Sequence, residues 1–258
     1  MTAPAVPVAP PKPPNNLVGL ALLAAFVATG AALRLAPPAR TPLTFAFIMA
    51  GWMLAVMAHE FAHAFTAYLG GDTTVRDKGY LAFDPRRYGD LGTSLVIPLI
   101  ALALGGIGFP GGAVFLRNDL MRGPGWRAAA SLAGPAATFV ALLVLAYVLN
   151  LWSRVAFPDM LFDGLAMLAF LQATALILNL LPLPGLDGFG AIRPFLPRAW
   201  APTIHRFEGL GMLLLLAALF LVPGFSGALF GLALQLAAAL GVPREAMQAG
   251  WEDFHFWR

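Results

Sequence analysis

The chain has 258 residues, of which 59% are hydrophobic and only 11% charged, and its net charge is +3. A soluble domain carries about 25% charged residues, so this chain lacks the polar surface to face water on every side. It contains no cysteine, which excludes disulfides, thiolate metal sites and thiol nucleophiles and leaves His, Asp and Glu as candidate metal ligands.

In chain order, residues 1–16 (MTAPAVPVAPPKPPNN) form a Pro-rich polar tail. The tail lacks the ordered charged, apolar and cleavage regions of a signal peptide, and is expected to be disordered. The first apolar span runs from Leu17 to Ala36 and ends at Pro37-Pro38, with Arg34 placed to snorkel at its rim. The second covers Leu43 to Leu69 and stops at Gly70-Gly71. A polar stretch, Asp72 to Asp90, precedes an apolar one, Leu91 to Gly112, which is broken by Pro98, Gly105, Gly106, Gly108, Pro110, Gly111 and Gly112. After a basic loop with Arg117, Arg122 and Arg127 come spans at Ala128 to Leu149 and Leu161 to Leu181. A loop with Arg193, Arg198 and Arg206 leads into Gly209 to Leu240, interrupted at Pro223-Gly224 and so read as a helical hairpin.

These runs predict an all-α polytopic membrane protein with about six transmembrane helices plus a re-entrant or broken hydrophobic hairpin. The sequence divides into the tail (1–16), a first helix and loop (17–42), a membrane core (43–190), and a C-terminal hairpin with an interfacial tail (191–258). If 91–112 is re-entrant, only Arg34, Arg40 and Arg154 fall on one side. The other thirteen of the sixteen Lys and Arg fall on the opposite side. The positive-inside rule makes that side cytoplasmic, and both termini with it. The basic residues lie between hydrophobic runs rather than in a stripe with aromatics, so no nucleic-acid partner is expected. The lipid bilayer is.

His59-Glu60-Phe61-Ala62-His63 stands out within the second span. Residues at i and i+4 share a helix face, so both imidazoles reach one metal ion, while Glu60 addresses a water beside it. Ionisable residues inside a membrane span cost at least ~2.5 kcal/mol unless paired or functional. Mutual satisfaction among the three is the plainer reading, but three in five residues call for a common partner, and a metal serves all of them. Zinc hydrolases usually supply three protein ligands. The third candidate is Asp187 in the Pro/Gly-rich break Asn179-Leu-Leu-Pro-Leu-Pro-Gly-Leu-Asp187-Gly188. A capping role in a turn is its alternative. The charge count puts HEFAH and Asp187 near the cytoplasmic ends of two helices running in the same direction, so the ligands fall at similar depth.

HEFAHAFTAYLGGD, AFDPRRYGDLGTSLVIPLI, SLAGPAATF and NLLPLPGLDG, in this order from about residue 43 to 190, resemble the site-2 protease family of intramembrane zinc metalloproteases. The likeness is closest to its compact bacterial branch without a PDZ domain. The resemblance implies that His59, His63 and Asp187 hold one zinc ion per chain and that Glu60 activates water. It also implies that Asn179 positions the substrate or polarises its scissile carbonyl. The expected reaction is hydrolysis of a peptide bond in or near a transmembrane segment of a membrane protein, as in regulated intramembrane proteolysis. The expected location is a bacterial cytoplasmic membrane. Two departures from the family pattern appear: Phe189 stands between Asp187-Gly188 and Gly190, and Gly111 to Arg117 replaces a Lys-Pro-Val-Pro-type stretch.

Two rivals are weighed against this reading. In another HExxH membrane protease the third ligand would come from His205, Glu208, Glu245 or Glu252. A non-proteolytic metal-binding scaffold or transporter would show a hydropathy repeat or pore charges, and neither is found. Met49, Met53 and Met57 read as packing, SLAGP as a close helix contact, His205 as solvated, and His255 as interfacial.

Overall fold

The structure, a computed structural model, describes residues 16–35, 42–88, 114–208, 215, 217–219, 221–255 and 257, excepting the side chains of Arg198, His205 and Glu208. The N-terminal tail, the apolar stretch at 91–112 and part of the hairpin at 209–240 lie outside these residues. Four helices are long and apolar enough to cross a bilayer: α1 (Leu17–Leu35), α2 (Pro42–Gly70), α4 (Pro124–Val155) and α5 (Met160–Leu180). Between α2 and α4 lies the single turn α3 (Thr74–Asp77). After α5 come α6 (Asp187–Ile192), α7 (Ala201–Glu208), the short apolar α8 (Phe225–Ala239) and the amphipathic α9 (Arg244–Phe254). No strand occurs among the described residues. The protein is an all-α membrane protein, as the apolar runs predict.

Helix α5 is the hub. Within its best apolar window 83% of residues are buried, against 17% for α1, and the other spans lie between these two. Its sequence explains this, because small residues (Ala166, Ala169, Ala173, Ala175) alternate with Met167, Leu168 and Leu171 on all sides. Small residues let helix backbones approach, and packing then replaces the hydrophobic drive that lipid does not supply. At Gly250 of α9 an added Cβ would sit 2.3 Å from the Asp163 carbonyl oxygen of α5, and at Gly51 of α2 one would sit 2.6 Å from Leu168. One cluster joins Leu33, Phe47, Trp52, Leu142, Met167, Ala237 and Phe254, so α1, α2, α4, α5, α8 and α9 share a core. Met53 and Met57 are buried and Met49 packs against the core, in keeping with their reading as packing residues. His255 differs from its expected interfacial place. It is 3% exposed, with its ring against Trp251 and Phe254, because α9 tucks its end into the bundle beside Phe45.

One end of the bundle is tied by Arg34, which pairs with Asp159 and stacks over Trp152. The other end carries a folded cap. Asp72, fully buried, accepts hydrogen bonds from Thr74 N–H (3.1 Å), Thr74 Oγ1 (2.6 Å) and Arg117 N–H (2.7 Å). Lys78 Nζ donates to the Phe115 carbonyl at 2.6 Å, so the extended segment 114–117 is pinned on both sides. Val75, Tyr80, Tyr88 and Met121 give this cap its own apolar core against Met57, Ala64 and Ala67 of α2. Asp72→Ala removes a buried carboxylate that satisfies three donors, and charged hydrogen bonds are worth about 1.5–3 kcal/mol each. The variant is expected to lose about 3 kcal/mol or more in denaturant unfolding. Limited proteolysis should show new cleavage at 114–117 while the transmembrane helices stay protected.

Candidate metal centre

His59 and His63 sit in the last third of α2, on the face turned to α4, and are 7% and 6% exposed. The i, i+4 spacing brings their Nε2 atoms to 3.0 Å of one another, with the rings edge to face. Asp187 arrives from beyond the end of α5. The chain leaves that helix at Leu181, turns through Gly185 in the left-handed region (φ 95°), and restarts at Asp187. Gly188 permits the return: a Cβ there would lie 2.3 Å from the Leu180 carbonyl oxygen, so only glycine lets α6 fold back on α5. A Cβ at Gly190 would meet Ser131 Oγ of α4 at 2.7 Å. The departure at Phe189 thus leaves both close approaches intact. Asp187 Oδ2 lies 3.2 Å from His59 Nε2 and Oδ1 lies 3.3 Å from His63 Nε2.

The donor set fits zinc. Tetrahedral bonds of 2.0–2.1 Å place ligand atoms about 3.3 Å apart; the two Nε2 atoms stand 3.0 Å apart, and the carboxylate sets one oxygen 3.2 Å from His59 and the other 3.3 Å from His63. The far side of each imidazole is also committed. His63 Nδ1 lies 2.6 Å from the Ala130 carbonyl, which only accepts, so Nδ1 carries the proton and Nε2 is the nitrogen turned toward Asp187. His59 Nδ1 lies 2.9 Å from Thr138 Oγ1. Two imidazoles and a carboxylate thus face one point, where a single cation would satisfy all three.

Glu60 faces the same region, 3% exposed, and its Oε2 accepts from Val114 N–H at 3.2 Å. Asn179, 4% exposed near the end of α5, lines a cavity together with His59, Glu60, Thr138 and Gln172. The five residues named from sequence therefore come together. The alternative third ligands do not: Glu245 and Glu252 are exposed on α9, outside the donor group, and the side chains of His205 and Glu208 lie outside the described residues. Sequence reasoning missed the supports. Thr138 and the Ala130 carbonyl flank the SLAGP motif, and within it Gly134 would carry a Cβ only 2.2 Å from His63 Nε2 and 2.5 Å from His59 Nε2. The motif had been read as helix packing; what it packs against is the pair of imidazoles. The signal available was a small residue flanked by a helical Pro135 and a lone Thr on an otherwise apolar span.

Comparison with known proteins agrees with this geometry. A protein of Mycobacterium tuberculosis provisionally named zinc metalloprotease Rip2 is 41% identical over 249 residues, 92% of each chain. Its Mycolicibacterium smegmatis namesake is 39% identical over 243 residues, again 92% of each. A Bacillus subtilis protein provisionally named zinc metalloprotease YwhC is 29% identical over 176 residues, 64% of this chain and 75% of its own. No family model and no solved structure matches the chain. Likeness over nearly the whole length sets the class: this is a membrane-embedded zinc metalloprotease, and zinc is its metal. Its family is the one whose motifs the sequence resembles, and the chain belongs to the site-2 proteases.

Gly134→Ala is expected to lower zinc affinity at least about 100-fold, because its methyl group takes the space between the imidazoles. Thr138→Val should weaken zinc about tenfold by freeing the His59 ring, the scale typical of second-layer partners. Competition titration with a zinc-selective chelator measures both, with circular dichroism checking that the helices persist.

Proposed function

We propose that His59, His63 and Asp187 ligate the zinc, that Glu60 is the general base and acid, and that Asn179 positions the scissile peptide. The observation that carries this reading is the convergence of two imidazole nitrogens and a carboxylate within 4.8 Å of one another, with both outer imidazole nitrogens engaged. Zinc supplies the Lewis acidity that makes water nucleophilic near pH 7 and polarises a carbonyl. Glu60 takes a proton from the attacking water as the water oxygen bonds to the carbonyl carbon. It then hands that proton to the amine nitrogen as the C–N bond breaks. The side chain of Asn179 makes no hydrogen bond among the described residues, so its N–H is free to donate to a substrate carbonyl.

The substrate is a transmembrane protein or peptide, cut in or near its membrane segment. Burial of the centre beside helices that cross the bilayer supports this, since a chain must be unwound and brought to that depth to be cut. The membrane is the bacterial cytoplasmic one: the named relatives are bacterial, and the positive-inside count puts both termini in the cytoplasm. Residues 43–190 form the catalytic core, and 191–258 complete it as a supporting hairpin and tail.

Purified wild type is expected to hold one zinc and to cleave single-span substrates, with activity lost to a chelator and restored by zinc. Glu60→Gln should keep the zinc and lose at least about 1,000-fold in kcat. Asp187→Ala should lose the zinc and the activity together. Full zinc retention in Asp187→Ala, measured by atomic emission, overturns the ligand assignment.

A further inference from the structure

Gln172 belongs to no motif, yet it is a polar side chain deep in the hub helix. It is 2% exposed, and its Nε2 has no hydrogen-bond partner among the described residues. A buried amide left unpaired destabilises by about 1–3 kcal/mol, so such a group in an apolar span calls for a reason. Gln172 lies seven residues before Asn179, two helical turns back on the same face, about 10.5 Å along the axis. Trp52 of α2 stands likewise seven residues before His59. Both helices have their C-terminal ends at the metal centre, so Gln172 and Trp52 close the deep end of a crevice that reaches His59, Glu60, Thr138 and Asn179.

The crevice holds a cavity of about 20 Å³. A cavity of at least about 10–15 Å³ accommodates one water if two to four polar groups surround it. Gln172 at the deep end, with Glu60, Asn179 and Thr138 toward the metal centre, lines the crevice with the polar groups a water needs. Each turnover converts one water and one peptide bond into a carboxylic acid and an amine, so a water held within the crevice stands ready to replace the one consumed. We infer that Gln172 holds a resident water in this cavity, beside Glu60, as the reserve from which the consumed water is replaced. The site itself follows from the cavity and the amide; its use in catalysis rests on the proteolytic reading above.

Radiolytic footprinting of the full-length protein in nanodiscs tests the site without substrate, since ordered water lets radiolysis oxidise a side chain that bulk solvent does not reach. Trp52 is 2% exposed and exposed Trp200 serves as the internal reference. The expected result is clear Trp52 oxidation in wild type that falls about tenfold in Gln172→Leu, the scale of one lost hydrogen bond, with Trp200 unchanged. Gln172→Met, which keeps the length and removes the donor, should behave as Leu does and guards against a packing fault. Both variants should retain zinc, lower kcat about tenfold and leave KM within about twofold. Substrates truncated two residues from the scissile bond should show the same kcat loss. They cannot reach Gln172, which is about three extended residues away. An inert Trp52 in wild type, or oxidation unchanged in both variants, overturns the water site. A kcat loss that disappears with truncated substrates also overturns the proposal, because Gln172 would then be gripping the substrate itself. If wild type cleaves nothing while the footprint behaves as expected, the proteolytic reading fails and the water site stands.

Discussion

Two imidazole nitrogens and a carboxylate are held within about one ligand separation of each other inside a helix bundle that faces lipid. Such a cluster forfeits its hydration. A cation among the three groups compensates that loss, and a structure otherwise governed by small-residue packing then tolerates three ionisable groups in five residues of α2. The rest of the molecule follows from holding that cluster still. The Ala130 carbonyl and Thr138 fix the rings from behind, Gly134 makes the room, and the break after α5 delivers Asp187.

Holding the cluster still requires a rigid centre, and α5 provides it. Its small side chains let α2, α4, α8 and α9 approach from all sides, so the helix that presents Gln172 and Asn179 is also the one least able to move. Close contacts at Gly51 and Gly250 have no slack, and register errors there would carry directly to the metal centre. The bundle therefore couples stability and chemistry through the same backbone approaches rather than through separate regions.

The grouping of the candidate site residues was legible in sequence because its logic is local. An i, i+4 histidine pair, a carboxylate one residue after the first histidine, and an Asp in a Pro/Gly break are patterns that any helix reveals. The spans were legible for the same reason, and their ends moved by only a few residues. What could not be read depends on which helix faces which. Gly134 is one of many small residues until α4 is rotated onto α2, and Asp72 is one more loop carboxylate until Arg117 comes back to it. Gln172 is one polar residue in an apolar span until the crevice beside Glu60 is assembled. His255 belongs with these cases: four aromatics around a histidine suggest a headgroup layer, and only the docking of α9 against α5 sets Phe254 and Trp251 into the core.

The cap adds a constraint of its own. Val114 donates its backbone N–H to Glu60, and the segment it begins is anchored by Lys78 at Phe115 and by buried Asp72 at Arg117. The 114–117 segment thus reaches the candidate site through one backbone N–H on Glu60, while Asp72 and Lys78 keep hold of the remainder of the segment. Because Asp72 follows α2 directly, the helix bearing the histidines and the segment touching Glu60 are secured by one buried carboxylate.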